Sequence, residues 1–125
     1  MVLLNARSLR NKMPQFRAWV AASDYGAIAV TESWLDTGRD FLGEYHLPGY
    51  AMFSKERVGR RGGGVILYVR THLSAIAVRT ESPHEFVGAE LRGCNPSLRI
   101  VVAYRPPHLS RDADESLYRD LSGVV

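Results

Sequence analysis

Val65-Ile66-Leu67-Tyr68-Val69 places five apolar side chains in succession with no polar alternation. A strand wetted on one side alternates with period two, so a β-rich run without alternation is covered on both faces. Ala27-Ile28-Ala29-Val30 is a second run of this kind, small, apolar and partly β-branched. Gly62-Gly63-Gly64 leads into the first run and gives the backbone freedom where the chain enters a buried strand. No Gly-Lys-Ser/Thr follows the triplet, so it is not a phosphate-binding P-loop.

The rest of the chain arranges itself around these two runs. Residues 1–4 are a short apolar strand, and Asn5-Ala6-Arg7-Ser8-Leu9 leaves it through polar positions. Asn11 is a candidate cap and Pro14 suits a first helical turn, with Met13, Phe16, Trp19 and Val20 on one apolar face. Asp24-Tyr25-Gly26 ends that helix, so the first two strands form a strand–helix–strand unit and run parallel. Residues 36–49 are turn-rich and read as a loop, and residues 50–54 read as a strand. Residues 73–79, 86–91 and 98–104 are three further strands, with Arg92-Gly93-Cys94-Asn95-Pro96 a tight connection between the last two. Arg105-Pro106-Pro107 stops the last strand, because proline cannot continue a ladder. Ser110 or Asp112 then caps a second helix with Leu117, Tyr118 and Leu121 as its stripe, and Val124-Val125 could open another strand. The expectation is one α+β unit with one mostly antiparallel sheet and flanking helices.

Composition excludes several classes. With 125 residues, 46% hydrophobic and 23% charged, the chain suits one modest globular domain. No apolar run reaches the roughly 20 residues of a membrane-spanning helix, and the start does not resemble a signal peptide. Cys94 is alone, so no internal disulfide forms and a reducing compartment is expected. The four histidines show no zinc spacing. Net charge is +3, with one basic group at Arg7, Arg10, Lys12 and Arg17 and another at Lys55, Arg57, Arg60 and Arg61. Basic groups flanking a carboxylate-bearing site suit a polyanion held across a metal, although solvated charged faces give similar counts.

The carboxylate is Glu32, at the end of the Ala27–Val30 run. An unpaired charge deeper in such a strand would cost several kcal/mol, roughly, so it belongs at the strand mouth. There it either pairs with a nearby Arg or seeds a site for a hard cation such as Mg²⁺, which binds through one or two carboxylates and keeps several waters.

Four motifs in order make a more specific set: Leu4-Asn5-Ala6-Arg7-Ser8-Leu9, Thr31-Glu32-Ser33-Trp34-Leu35, Gly62-Gly63-Gly64-Val65 and Tyr104-Arg105-Pro106-Pro107. The set resembles the endonuclease/exonuclease/phosphatase superfamily, and within it the apurinic-type endonuclease domain of LINE-type (non-LTR, jockey-like) retrotransposon polyproteins. The resemblance implies the N-terminal half of a four-layer α/β sandwich. It further implies Mg²⁺-dependent phosphodiester hydrolysis (Mn²⁺ as a substitute), DNA as partner, the remainder of a reverse-transcriptase polyprotein as covalent neighbour, and a nuclear site of action. Carried over, Glu32 is the metal ligand, and Asn5 and Tyr104 are catalytic. Arg7, Arg60, Arg61 and Arg105 are the expected nucleic-acid contacts.

The family's later Gly-Asp-Phe-Asn and Ser-Asp-His motifs do not occur in this sequence. The resemblance therefore implies weak or no catalysis by this chain alone, and a non-catalytic nucleic-acid-binding role is the alternative. It also implies that the second sheet is mostly missing, leaving an apolar sheet face uncovered.

Overall fold

The computed structural model describes residues 1–57, 62–79 and 81–124. Its strands are β1 (Val2–Asn5), β2 (Ala27–Thr31), β3 (Tyr50–Lys55), β4 (Val65–Arg70), β5 (Ala75–Val78), β6 (Phe86–Leu91) and β7 (Leu98–Ala103). Its two α-helices among the described residues are α1 (Met13–Ala21) and α2 (Arg111–Ser122). The first four strands form a sheet in the order β1-β2-β4-β3, and the last three form a second in the order β5-β6-β7. β1 and β2 are parallel, as the strand–helix–strand reading expects, and every other pairing is antiparallel.

The α+β class holds, but the strands divide between two sheets and not one. The division happens at the end of β4, where a 3-10 turn at Thr71–Leu73 and a left-handed Ser74 (φ 51°) redirect the chain. The inner face of the first sheet explains the destination. Ala27, Ala29, Val65, Leu67 and Val69 form one core with Ala89, Leu91, Ile100 and Val102 of the second sheet. Three strands therefore suffice to cover the face that was expected to stand open, and that expectation is corrected.

The outer faces are covered by the helices. Met13, Phe16 and Val20 of α1 pack with Ile28, Val30, Ile66 and Tyr68 on the far side of the first sheet. Leu117 of α2 packs with Phe86 and Val124 on the far side of the second, supported by Val78, Val101 and Leu121. The order is helix, sheet, sheet, helix: four layers, with the sheets apolar on both faces and each helix turning its apolar side onto one of them. β4 lies at the centre, and Val65 through Val69 are each 0% exposed.

Local readings fare unevenly. Ser110 does cap α2, its hydroxyl accepting from the Ala113 N–H at 3.1 Å, whereas Asn11 sits within a 3-10 turn and α1 has no side-chain cap. Trp19 is expected in the core but is half-exposed, stacked on Phe16 and tilted against Tyr25 at the rim. Tyr118 likewise points away from the α2 stripe and is exposed. The loop over 36–49 contributes more core than its turn residues suggest: Tyr45 and Leu47 are buried, and the Tyr68 hydroxyl donates to the Tyr45 carbonyl at 2.6 Å. Val124 lies in a turn after α2, and Val125 lies outside the described residues.

The two-sided burial of β4 predicts a contrast between two leucines. Leu67→Ala should destabilise the fold by roughly 2–5 kcal/mol through a cavity between the sheets. Leu3→Ala, on edge strand β1 and 65% exposed, should cost less than about 0.5 kcal/mol. Urea unfolding midpoints of the two variants check this, and similar losses would contradict the layer assignment.

Candidate functional site

β1 and β2 end side by side, with Asn5 opposite Thr31. The backbone then turns sharply on both strands. Arg7 (φ 48°), Ser8 (φ 85°), Glu32 (φ 53°) and Trp34 (φ 57°) all adopt left-handed conformations, each costing of the order of 1–2 kcal/mol for a residue with a side chain. A ladder of backbone bonds holds the turn in place. Ser8 N–H donates to the Glu32 carbonyl at 2.8 Å and Leu9 N–H to the Ser33 carbonyl at 3.0 Å. Ser33 N–H donates to Gly64 and Trp34 N–H to Gly63, at 3.2 and 2.8 Å. Strain that persists only because surrounding contacts over-determine it is the pattern of a built site.

From the other sheet, Tyr104 follows the last residue of β7, and its hydroxyl donates to Glu32 Oε1 at 2.6 Å. Two sequence-expected site residues, 72 positions apart, therefore meet across the sheet interface. The hydrogen bond to Glu32, then burial, then the nearby Glu32 charge, raise the phenol above its ordinary value of 10.0. The partner of Glu32 is thus a tyrosine, and the Arg pairing left open by the sequence does not occur among the described residues.

Two residues at this mouth escaped the sequence reading. Glu85, 7% exposed just before β6, accepts from the Gly64 N–H at 2.6 Å and pairs with Arg57 Nε at 3.0 Å. Its own carbonyl accepts from the Tyr104 N–H at 2.9 Å. The Arg57 guanidinium lies 5.9 Å from the Tyr104 ring centroid. Beside them opens a pocket of about 170 Å³ lined by Arg57, His84, Glu85 and Tyr104 with Pro106 and Leu109. The signal for Glu85 was a lone carboxylate directly before an apolar strand; Arg57 was hidden in a run of basic residues read together as suiting a polyanion, with a solvated face as the alternative. That cluster is not uniform: Arg57 is held by Glu85, and Lys55 donates to the Ser82 carbonyl.

The other expected site residues are placed as follows. Asn5 is exposed beside Thr31 at the strand ends, next to the Glu32 turn. Arg7 is exposed in the same turn. Arg105 is exposed too, but its guanidinium pairs with Asp114 at 2.6 Å, which raises Arg105 and lowers Asp114 from their ordinary values. Arg60 and Arg61 lie outside the described residues.

As a metal seat, the mouth offers one carboxylate outside an ion pair, Glu32, because Glu85 is taken by Arg57 and the Gly64 N–H. No group of three or more His, Cys, Asp or Glu lies together among the described residues, which does not suit zinc. A single hard oxygen donor at an accessible strand end does suit Mg²⁺, which retains waters in its remaining positions.

Comparison with known proteins gives the fold. No protein-family model matches the chain, and no curated protein does. Among solved structures it is similar to AP endonuclease LMAP from Leishmania major, with TM-score 0.75 and 16% identity over 95% of this chain and 46% of that one. An AP endonuclease from Archaeoglobus fulgidus matches with TM-score 0.67 and 14% identity, over 99% of this chain and 51% of that one. The 3′ phosphatase NExo from Neisseria, bound to a product DNA hairpin, matches with TM-score 0.68 and 14% identity over 98% and 50%. The chain spans about half the length of each of these structures.

The phenol of Tyr104 should lose its proton above pH 10, with the hydrogen bond to Glu32 kept below that pH and lost as pH rises through the raised value. Glu32→Gln should bring the value down, because a carboxamide gives no charge-assisted bond; NMR titration of labelled tyrosines reads both. Gly63 makes a second test. At φ +63° a Cβ there would lie 2.1 Å from Glu85 Oε1, so Gly63→Ala should destabilise the chain by about 1–3 kcal/mol in urea unfolding.

Proposed function

Because this chain has the fold of the AP endonucleases, we propose that it is the N-terminal half of a Mg²⁺-dependent DNA endonuclease domain. Its Asn5-Ala6-Arg7-Ser8-Leu9 and Tyr104-Arg105-Pro106-Pro107 motifs favour the branch found in LINE-type retrotransposon polyproteins, which nicks target DNA. The observation that carries the reading is the Tyr104–Glu32 hydrogen bond, because it joins two expected site residues from separate sheets at one mouth. The coverage of the similar structures, about half of each, supports the assignment to one half of such a domain.

Glu32 would hold the Mg²⁺, which when bound supplies charge to offset the anionic leaving oxygen of a phosphodiester. The Tyr104 hydroxyl, poised against Glu32, can donate to an oxygen that gains charge in the reaction. Asn5 both donates and accepts, so its amide can orient a water or a phosphate oxygen beside the metal. Exposed Arg7 would position the DNA backbone without reading its sequence. The residues that activate the water belong to the family's later motifs, so this chain alone binds and does not turn over.

The test has three arms. Mg²⁺ added to the labelled chain should shift the signals of Glu32 and Tyr104, and Glu32→Gln should abolish those shifts; shifts confined to other residues would sink the assignment. Nicking of supercoiled plasmid by the chain alone should stay at background, and strong nicking would refute the half-site reading. Arg7→Ala should weaken DNA binding and reduce the salt slope by about 1. DNA binding that depends on salt but not on Glu32 or Mg²⁺ would favour the non-catalytic binding module.

A further inference from the structure

Glu85 stands where four segments converge on the mouth. Its side chain takes the Gly64 N–H on one oxygen and the Arg57 guanidinium on the other. Its backbone carbonyl takes the Tyr104 N–H. The loop it fixes then offers the Gly63 and Gly64 carbonyls to Trp34 and Ser33, the two residues that follow Glu32. Gly64 thus bonds to Ser33 beside Glu32, the Arg57 guanidinium lies 5.9 Å from the Tyr104 ring centroid, and Tyr104 itself donates to Glu32. The glycines make this closeness possible: a Cβ on Gly63 would overlap both Glu85 and Arg57, and one on Gly64 would lie 2.7 Å from Ser33 Oγ.

A buried carboxylate is retained at a cost unless it is paired and hydrogen-bonded, and here the Arg57 charge and the Gly64 amide together provide that. The ion pair is electrically balanced, so it is suited to holding a shape more than to attracting a phosphate. We infer that Glu85 is a positioning residue that sets Glu32 against Tyr104, acting through the Gly62–Gly64 loop and through Arg57. This rests on reading Glu32 as a Mg²⁺ ligand. Supporting groups behind a metal ligand typically change metal affinity by about 10–100-fold when removed.

The experiment uses the whole 125-residue chain, with Mn²⁺ chloride as the probe and amide hydrogen exchange as a second readout. In Glu85→Ala, exchange protection should be lost at Ser33 and Trp34 but kept at Ala29 and Leu67 in the ladder. Mn²⁺-induced broadening at Glu32 should need about tenfold more metal or beyond. Glu85→Gln keeps an oxygen for the Gly64 amide and loses the charge pair, so it should retain the protection and lose less affinity. Wild-type exchange and affinity in Glu85→Ala would overturn the inference, as would a uniform loss of protection throughout the chain. If Glu85→Ala does not fold, Glu85→Gln and Arg57→Ala decide: unchanged Mn²⁺ affinity in both overturns it, and a drop in either at full ladder protection supports it. Wild type and Glu32→Gln binding Mn²⁺ alike would instead remove the metal reading, and exchange at Ser33 and Trp34 would still decide the role of Glu85.

Discussion

Everything in this structure depends on β4 being dry on both sides. Its five apolar residues are inaccessible to water, and a strand in that position needs a partner layer above and below. α1 provides one with Met13, Phe16 and Val20, and the β5-β6-β7 sheet provides the other. That sheet has an apolar outer face of its own, where Phe86 and Val101 lie, and α2 closes it. Four layers follow from one unalternating run because each added layer brings a further face that must be covered.

The same arrangement produces the site. The two sheets packed face to face bring the ends of β2 and β7 together, and the residues just beyond those ends are the first that can carry charge without burial in the core. Glu32 and Tyr104 occupy those places, and their hydrogen bond spans the interface. The backbone around Glu32 is left-handed at several side-chain-bearing residues, a conformation that relaxes unless held. The Gly62–Gly64 loop holds it from one side and the turn after β1 from the other. Glu85 in turn holds the loop, so a carboxylate buried at the start of β6 bears on the geometry of another carboxylate in a different sheet.

Charge counting along the chain misled where charge pairing decided the outcome. Lys55 and Arg57 look like part of one basic loop with Arg60 and Arg61, yet both are engaged at the sheet interface. Arg105, next to the candidate catalytic Tyr104, is occupied by Asp114 of α2. Asp40, within an acidic stretch, is paired with Arg10 at 2.6 Å. Partners at such separations in sequence are set by topology, and no local pattern encodes them.

What the sequence by itself determined is local. Through their family resemblance the ordered motifs pointed to Asn5, Glu32 and Tyr104; from the residues themselves, runs without alternation marked β2 and β4 as buried, prolines marked where β7 stops, and Ser110 or Asp112 marked the start of α2. These are legible because solvent exposure, backbone freedom and capping act over a few neighbouring residues. The division into two sheets, the burial of Tyr45 and Leu47, the displacement of Trp19 and Tyr118 to the surface, and the Gly64–Glu85–Arg57 link were decided by tertiary structure alone. Each depends on which distant segment arrives at a given face. That is fixed by the need to cover apolar area from all sides at once, a condition on the whole chain and not on any stretch of it.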